Sequence, residues 1–328
     1  MIITQTPLRI SLAGGGTDLA AFYTRAPGAV VSAAIDKFIY VIVNQRFDDK
    51  IYLSYSKKEI VDRLDDIQHE LVREALRMAG VRQGIEIAIM ADIPSEGSGL
   101  GSSSSLTVGL LNAFHAFRGV QVPAERLAAE ACEIEINLCG KPIGKQDQYI
   151  AAYGGLCHFV FHPDQRVTTT QMPFGKNEYD LGSNLMLFFT NITRKADPIL
   201  REQVRNTDDK FAQLQRIGAM AAQARSAIEA GAHDMLGALL RENWELKCAL
   251  AQSITKPEID AMVTRAIQAG ALGCKICGAG GGGFLLVYCR PEQQPPLRAA
   301  LAEYREMPFH FEKHGSKVIF HLERYVWK

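Results

Sequence analysis

The hydrophobic pattern divides the middle of the chain into a short apolar run, a polar segment and a periodic apolar stretch. The run Ile85–Asp92 is rich in isoleucine and largely apolar over few residues, which predicts a strand. Beyond residue 105, apolar residues recur at helical spacing: Leu106, Leu110, Ala113, Phe114 and Phe117. This spacing predicts a helix. The loop Pro94–Leu106, PSEGSGLGSSSSL, therefore joins a strand directly to a helix start.

The composition of this loop favours an anion site. Glycines let the backbone approach an anion closely, and the unpaired amides of a helix start favour negative charge. Serine hydroxyls can bind Mg²⁺ or phosphate oxygens. A flexible Ser/Gly linker is the alternative, but periodic apolar elements abut the loop on both sides. The pattern thus predicts a site for nucleotide phosphates.

The segments before this loop are predicted to be mostly strands. Ile2–Leu12 is strand-like and runs into Gly14–Gly16, then Thr17 and Asp18. This places a carboxylate at the mouth of a strand, although an ordinary turn with an Asx cap fits equally well. Ala29–Phe47 predicts one long strand or a strand pair, and Ile51–Tyr55 predicts another strand. Lys58–Ala79 has one apolar face and predicts an amphipathic helix.

Two further acidic segments follow the loop. Pro123–Leu138 is predicted to be a helix, in which Glu133 and Glu135 lie two apart and so point in different directions. At most one of them should face a shared site. Gly144 and Gly154 then bracket a segment whose acid is Asp147, either in a solvated ion pair with Lys145 or held by turns at a site.

The polar, turn-rich segment Gly175–Asn184 predicts a domain boundary, giving domains of residues 1–180 and 181–328. Leu185–Thr190 is predicted to be a buried strand, and long helical stretches follow. A second glycine run, Gly278–Gly283, leads into the predicted strand Phe284–Cys289. Strands around Pro308–Phe311 and Lys317–Leu322 are expected to complete the C-terminal layer.

The composition narrows the class of protein. The 328 residues carry 36 basic and 36 acidic side chains, a balance that argues against broad nucleic-acid binding. The chain has neither a long apolar run nor a signal-peptide pattern, so we expect a soluble cytoplasmic protein with no membrane partner. The seven cysteines are scattered, which predicts buried thiols, and Cys274–Cys277 lacks the second pair that a zinc site needs.

Common nucleotide motifs are absent or out of context. No glycine loop closes with Gly-Lys-Ser or Gly-Lys-Thr, which excludes a Walker A loop. Gly278, Gly280 and Gly283 match G-x-G-x-x-G formally, but a strand follows where a dinucleotide site needs a helix. The protein-kinase motifs H-R-D-x-x-x-x-N and D-F-G do not occur.

Three motifs remain: PLRISLAGGGTDL near the start, P-x-x-G-x-G-L-G-S-S in the centre and K-I-C-G-A-G-G-G-G-F near the end. In this order they resemble the GHMP small-molecule kinases over essentially the whole chain. Within that family, LAGGGTD, GKQDQYIAAYGG and GAGGGGFLL look most like the D-glycero-D-manno-heptose 7-phosphate kinase branch, followed by the bacterial fucokinases. The resemblance implies a two-domain α+β fold, with the nucleotide between the domains. The N-terminal domain would have helices on a mostly antiparallel sheet with a left-handed βαβ unit, and the C-terminal domain would be ferredoxin-like.

The resemblance also implies roles for single residues. It implies that ATP binds the central loop at Gly97, Gly99, Leu100, Gly101, Ser102, Ser103 and Ser104. Ser103 and Glu135 would hold Mg²⁺, with Glu133 a weaker candidate for the acid. Asp147 would be the catalytic carboxylate, either as a base or as an orienting group, and Arg9 would lie beside it. The substrate residues would be Gly15, Gly16, Thr17, Asp18, Lys145, Arg194, Gly280, Gly281 and Gly282.

The implied reaction is transfer of the ATP γ-phosphoryl group to the anomeric hydroxyl of the heptose 7-phosphate, giving the 1,7-bisphosphate for nucleotide-heptose biosynthesis. Galactokinases carry Gly-Glu-His-Thr-Asp where this chain has Gly14–Asp18, and the smaller floor suits a bulkier or phosphorylated sugar. Lys145, Arg194 and Arg25 are candidates for binding the far phosphate. The alternatives are a fucokinase or another sugar-1-kinase, a GHMP enzyme with a different substrate, and a non-catalytic ligand sensor. The protein is expected to be a monomer or a homodimer.

Overall fold

The computed structural model describes residues 1–93, 97–173 and 175–322, and of residues 176 and 177 only the backbone. Pro94, Ser95 and Glu96 of the central loop lie outside the described residues. The elements up to residue 171 are β1 (Ile2–Ala13), α1 (Ala20–Tyr23), β2 (Gly28–Gln45), β3 (Ile51–Ser54), β4 (Lys58–Val61), α2 (Glu70–Ala79), β5 (Ile85–Ala91), α3 (Ser102–Phe117), α4 (Ala124–Cys132), a π-helical segment (Glu133–Leu138), α5 (Gln146–Tyr153), β6 (Leu156–Phe161) and β7 (Val167–Gln171).

The elements after residue 171 are mostly helical. They are α6 (Lys176–Ser183), β8 (Leu185–Phe189), α7 (Ala196–Arg205), α8 (Phe211–Glu229), α9 (His233–Cys248), α10 (Pro257–Gln268), β9 (Gly273–Ile276), β10 (Phe284–Tyr288), α11 (Gln294–Ala300) and β11 (Lys317–His321).

The first sheet is organised around β2. This strand pairs antiparallel with β1 along most of its length, and its other edge is shared by β6 and β5. The full order is β11-β1-β2-β5-β3-β4, with β6 and β7 continuing from β2. Only the β3–β5 pair among the described ladders is parallel, and α2 lies between these two strands in the chain. This is the predicted βαβ unit in a mostly antiparallel sheet; its left hand stays a prediction.

Helix α3 lies directly on this sheet, and its closeness fixes where its N-terminus points. A Cβ built on Gly109 would lie 2.8 Å from Oγ1 of Thr6, so only glycine permits this approach. The Thr4 hydroxyl on β1 donates a hydrogen bond of 3.0 Å to the Gly109 carbonyl. The sheet thereby holds the helix with its N-terminus beside the end of the glycine loop.

The second sheet is antiparallel, in the order β8-β10-β9. Residues 305–307 extend it beyond β8, through Phe189 N to Arg305 O at 2.9 Å and Met307 N to Leu187 O at 2.8 Å. Helices connect β8 to β9, and α11 connects β10 to the added strand. This order and connectivity are those of a ferredoxin-like domain, as predicted.

Two secondary-structure predictions are wrong. Lys58–Val61, expected at the start of a helix, forms β4 and pairs with β3, because its side chains alternate between exposed and half-buried. The strand near Lys317 does not complete the C-terminal layer. Instead β11 pairs with β1, and Phe311 bridges to Ile35, so the end of the chain packs on the first sheet. A sequence pattern predicts a strand but not its non-local partner. The domain boundary near residue 180 stays a prediction.

The seven cysteines are free within the described ranges, and five of them are buried. No helix in the described part of the chain is long and apolar enough to span a membrane.

Candidate active site

A cavity of about 990 Å³ lies where the two sheets' loops meet. The turn after β1, the central glycine loop and the starts of α3 and α5 line one side. The other side is formed by the segment before α7, by α7 and α9, and by the start of the second glycine run. The cavity therefore brings together all three sequence motifs.

The glycine loop has the geometry of an anion site. Gly97, Gly99 and Gly101 have φ angles of +75°, +77° and +78°, a region that favours glycine. Gly101 is the N-cap of α3, so the free amides and the dipole of that helix face the cavity beside Ser102. A Cβ on Gly99 would lie 2.5 Å from the carbonyl oxygen of Cys277, which shows how tightly the two glycine runs pack.

Arg9 and Asp147 form an ion pair in the cavity wall. Nε and Nη2 of Arg9 donate to the two carboxylate oxygens of Asp147 at 2.8 and 2.5 Å. The remaining Nη1 donates to the carbonyl oxygen of Gly99 at 2.6 Å. Because Asp147 sits in the first turn of α5, the helix dipole also favours its negative charge. The bidentate pair fixes the carboxylate and ties it to the glycine loop.

Asp18 lies on the same side of the cavity. Its carboxylate accepts hydrogen bonds from the amides of Gly16 at 3.0 Å and Gln146 at 3.3 Å. Burial, and then the nearby charge of Asp147, raise the pKa of Asp18. A Cβ on Gly144 would lie 1.9 Å from Oδ2 of Asp18, so glycine is required there. Asp18 is thus a rigid acceptor beside Asp147.

Glu135, and not Glu133, faces the cavity. Glu135 is fully buried and accepts hydrogen bonds from Oγ of Ser103 at 2.8 Å and Nε2 of Gln148 at 3.0 Å. Burial is the main cause that raises the pKa of Glu135 to about 7. Glu133 is exposed and pairs with Asn137, so the two glutamates point apart as predicted.

Ser103 and Glu135 suit Mg²⁺ by their chemistry. Both offer hard oxygen donors at the cavity wall, and a nearby cation would compensate the buried carboxylate. In the described ranges, no three His, Cys, Asp or Glu side chains cluster to hold a metal ion by themselves. A site of this kind fits a cation that also binds substrate phosphates.

Several predicted substrate residues do not reach the cavity. The Thr17 hydroxyl oxygen lies 2.8 and 3.0 Å from the backbone oxygens of Gly14 and Ala29, which share its one hydrogen, so Thr17 shapes the turn that presents Asp18. The Lys145 ammonium turns away to Gln165, at 2.8 Å from Oε1. Arg25 pairs with Asp208 outside the cavity.

The predictions for three glycines of the second glycine run and for Leu100 also need correction. Gly280, Gly281 and Gly282 pack under neighbouring chain; a Cβ on Gly282, for example, would lie 2.5 Å from the carbonyl oxygen of Ile192. Gly278 and Ala279 line the cavity in their place. In the central loop, Leu100 is fully buried in the core, so only its backbone is near the site.

Lys247 and Lys275, which no sequence pattern predicted as site residues, line the cavity although they are 5% and 1% exposed. Burial lowers the pKa of Lys247 to about 8 and of Lys275 to about 7. The available signal was a lysine inside a short apolar strand, Gly273–Ile276, immediately before a glycine run. Arg194, predicted to bind the substrate, lines the same wall.

Comparison with known proteins agrees with this architecture. The model of the GHMP kinase N-terminal domain matches residues 66–155, and that of the C-terminal domain matches residues 224–306. A D-glycero-alpha-D-manno-heptose 7-phosphate kinase from Campylobacter jejuni is 31% identical, over 96% of this chain and 98% of its own. An L-fucokinase/L-fucose-1-P guanylyltransferase from Bacteroides fragilis is 29% identical over 93% of this chain, but only 36% of its own.

A solved structure has the same fold. The crystal structure of a D-glycero-D-manno-heptose 1-phosphate kinase from Bacteroides thetaiotaomicron superposes with a TM-score of 0.82, at 22% identity, over 98% of this chain and 100% of its own. The chain belongs to the GHMP kinase family. Within that family it is a sugar kinase, a phosphotransferase that acts on a sugar hydroxyl, and kinases of this family use ATP.

Proposed function

We propose that this kinase phosphorylates the anomeric hydroxyl of D-glycero-D-manno-heptose 7-phosphate and so forms the 1,7-bisphosphate for nucleotide-heptose biosynthesis. The observation that carries the proposal is the 31% identity to a heptose 7-phosphate kinase over nearly the full length of both chains. The small floor of Gly15 and Gly16 in the cavity wall supports it, because it leaves room for an extended sugar phosphate.

Each part of the cavity has a role in this reaction. The sugar hydroxyl oxygen forms a bond to the γ-phosphorus, the bond from that phosphorus to the β–γ bridging oxygen breaks, and ADP leaves. Asp147, held by Arg9, orients the hydroxyl and takes its proton. Asp18 accepts hydrogen bonds from other sugar hydroxyls. The amides at the start of α3 bind the phosphates of ATP.

Ser103 and Glu135 would hold Mg²⁺ at the edge of the phosphate site. When bound, the ion supplies positive charge against the phosphate oxygens. Gln148 keeps the Glu135 carboxylate in place by its own hydrogen bond.

A substrate panel tests the proposal. ADP release is measured with heptose 7-phosphate, the same heptose without phosphate, L-fucose, D-galactose and mevalonate. We expect the highest kcat/KM with heptose 7-phosphate. A higher value with L-fucose would favour the second candidate, a fucokinase, which the similarity to the Bacteroides fragilis protein supports. ATP binding without turnover of any sugar would favour a ligand sensor.

A further inference from the structure

One wall of the cavity contains buried cations that lack a carboxylate partner. Lys275, on β9, donates to the carbonyl oxygen of Ser11 at 2.9 Å, and Lys247, on α9, donates to that of Gly278. Neither lysine forms an ion pair with any described residue. Each ammonium carries three hydrogens and uses one of them on its carbonyl oxygen. Among the described residues, neither desolvated ammonium group is therefore paired directly with a carboxylate, although the charge of Asp18 acts on Lys247.

Unpartnered polar atoms lie on the same wall. Nε2 of Gln203 and Oγ of Ser11 are buried and have no hydrogen-bond partner in the described structure. Both residues line the cavity together with Lys247 and Lys275. Buried donors normally have hydrogen-bond acceptors. Here two ammonium groups, an amide and a hydroxyl have fewer acceptors than they could use. An anion with several acceptor oxygens would satisfy all of them.

This wall reaches from the ATP loop, where Gly278 packs against Gly99, to the turn after β1. Lys275 binds Ser11, the β1 residue that precedes the turn of Gly14–Gly16. A Cβ on Gly16 would lie 2.5 Å from Nε2 of Gln203, and a Cβ on Gly15 would lie 3.4 Å from Oγ of Ser11. The wall thus borders the floor beside Asp18, where the sugar is proposed to bind. The ATP phosphates have their own donors at the start of α3.

We propose that Lys247 and Lys275 bind the phosphate group that the sugar substrate already carries, and thereby select phosphorylated over neutral sugars. This inference rests on the proposed function, and it replaces Lys145 and Arg25 as the ligands of the far phosphate. Arg194 lies between this wall and the glycine loop, since its Nη2 would be 3.3 Å from a Cβ on either Gly99 or Gly278.

A proton accompanies this binding. Lys247 faces Arg194, Arg9, Asp18 and Cys277, and Lys275 faces Lys247, Cys277 and Arg9. With the pKa of Lys275 near 7 and that of Lys247 near 8, both groups are only partly charged at about pH 8, where a sugar phosphate is a dianion. The bound dianion favours the charged ammonium, so binding takes up protons.

Kinetics of two variants test the assignment. Lys247→Met and Lys275→Met keep the length of the side chain and remove its charge. We expect kcat/KM for heptose 7-phosphate to fall roughly 10- to 100-fold in each, while the value for the unphosphorylated heptose stays within about threefold of wild type. Lys145→Met, outside the cavity, is the matched control. An equal loss with both sugars, or no loss with either, contradicts the proposal.

Binding measurements separate this proposal from the proposed function. Inorganic phosphate is titrated calorimetrically into the protein saturated with a non-hydrolysable ATP analogue and Mg²⁺, so that the γ-phosphate position is also filled. Wild type should bind phosphate and both Met variants should lose it. If the Met variants lose phosphate binding although wild type does not phosphorylate heptose 7-phosphate, the phosphate subsite is supported and the proposed sugar is wrong. If they bind phosphate normally while wild type does phosphorylate that sugar, the subsite is wrong and the function stands.

Proton uptake during substrate binding can be measured on the wild-type protein, so this test does not depend on whether a variant folds. The heat of binding of heptose 7-phosphate is compared at about pH 8 in buffers that differ in ionisation enthalpy. The proposal requires net proton uptake that declines toward about pH 6, where both lysines are already charged. Binding without proton uptake at the higher pH contradicts it.

Discussion

Arg9 and Asp147 lie 138 positions apart in the chain and are joined by two hydrogen bonds of 2.8 and 2.5 Å. The same guanidinium also binds the backbone of Gly99, in the loop proposed to hold ATP. Asp147 is therefore positioned by the first strand and by the nucleotide loop together. An error in either element would move the carboxylate away from the reacting hydroxyl.

Asp147→Asn should remove most of the phosphoryl transfer and leave nucleotide affinity unchanged. An amide cannot take the proton and cannot offer two acceptor oxygens to Arg9, so we expect kcat to fall roughly 10²- to 10⁴-fold. Single-turnover kinetics and ATP titration measure the two effects. Asp164→Asn, at an exposed ion pair with Arg166, is the control. Wild-type turnover by Asp147→Asn would exclude a catalytic role for this residue.

Glu135→Gln should raise the Mg²⁺ concentration needed for half-maximal activity. The amide removes the buried negative charge while its oxygen can still accept the hydrogen bond from Ser103. We expect a shift of roughly 10- to 100-fold, measured by titrating Mg²⁺ at saturating ATP and sugar. Glu133→Gln is a matched control, because Glu133 is exposed two positions away. A similar shift in both variants would mean that Glu135 is not the ligand.

Gly99→Ala should destabilise the protein more than Gly119→Ala. Both positions have similar positive φ angles, +77° and +71°. A Cβ on Gly119 would meet no described atom within 4 Å, whereas one on Gly99 would lie 2.5 Å from a carbonyl oxygen. We expect Gly119→Ala to cost about 1–2 kcal/mol from backbone strain, and Gly99→Ala about 1–3 kcal/mol more from the clash. Urea denaturation measures both, and equal losses would contradict the close packing of the two glycine runs.

Thr17→Val should affect stability and not catalysis directly. The valine has a similar shape but leaves two backbone oxygens without the Thr17 hydroxyl, which should cost about 1–3 kcal/mol. Thr17→Ser keeps the hydroxyl and should lose less. Thermal unfolding and the KM for the sugar are measured for both variants. A large rise in the KM for the sugar at unchanged stability would indicate that Thr17 contacts the substrate.

Hydrophobic patterns within short segments of the sequence predicted the secondary structure that flanks the glycine loop. The strand Ile85–Ala91 and the helix Ser102–Phe117 flank the glycine loop as expected, because each has a clear hydrophobic period. The spacing of Glu133 and Glu135 correctly predicted that only one could face the cavity. The pairing of Arg9 with Asp147 followed only from the family resemblance, since no local pattern joins residues so far apart.

The remaining errors concern non-local packing. Lys247 and Lys275 are buried by elements distant in the chain, and a lysine in a sequence is usually exposed. Thr17 and Lys145 lie beside site residues in sequence, yet their polar atoms are used by Gly14, Ala29 and Gln165. Adjacent residues of one loop can point their side chains in different directions. A position next to Asp18 or near Asp147 in the sequence therefore did not identify a substrate contact.

Phosphorus NMR of the product shows directly where the enzyme places the new phosphate. The protein is incubated with ATP, Mg²⁺ and D-glycero-D-manno-heptose 7-phosphate, and the purified product is analysed for the position of its phosphates. We expect a bisphosphate in which the new phosphorus couples to the anomeric proton while the original phosphate stays at C7. A new phosphate on any other carbon, or unchanged heptose 7-phosphate beside rapid phosphorylation of L-fucose, would contradict it.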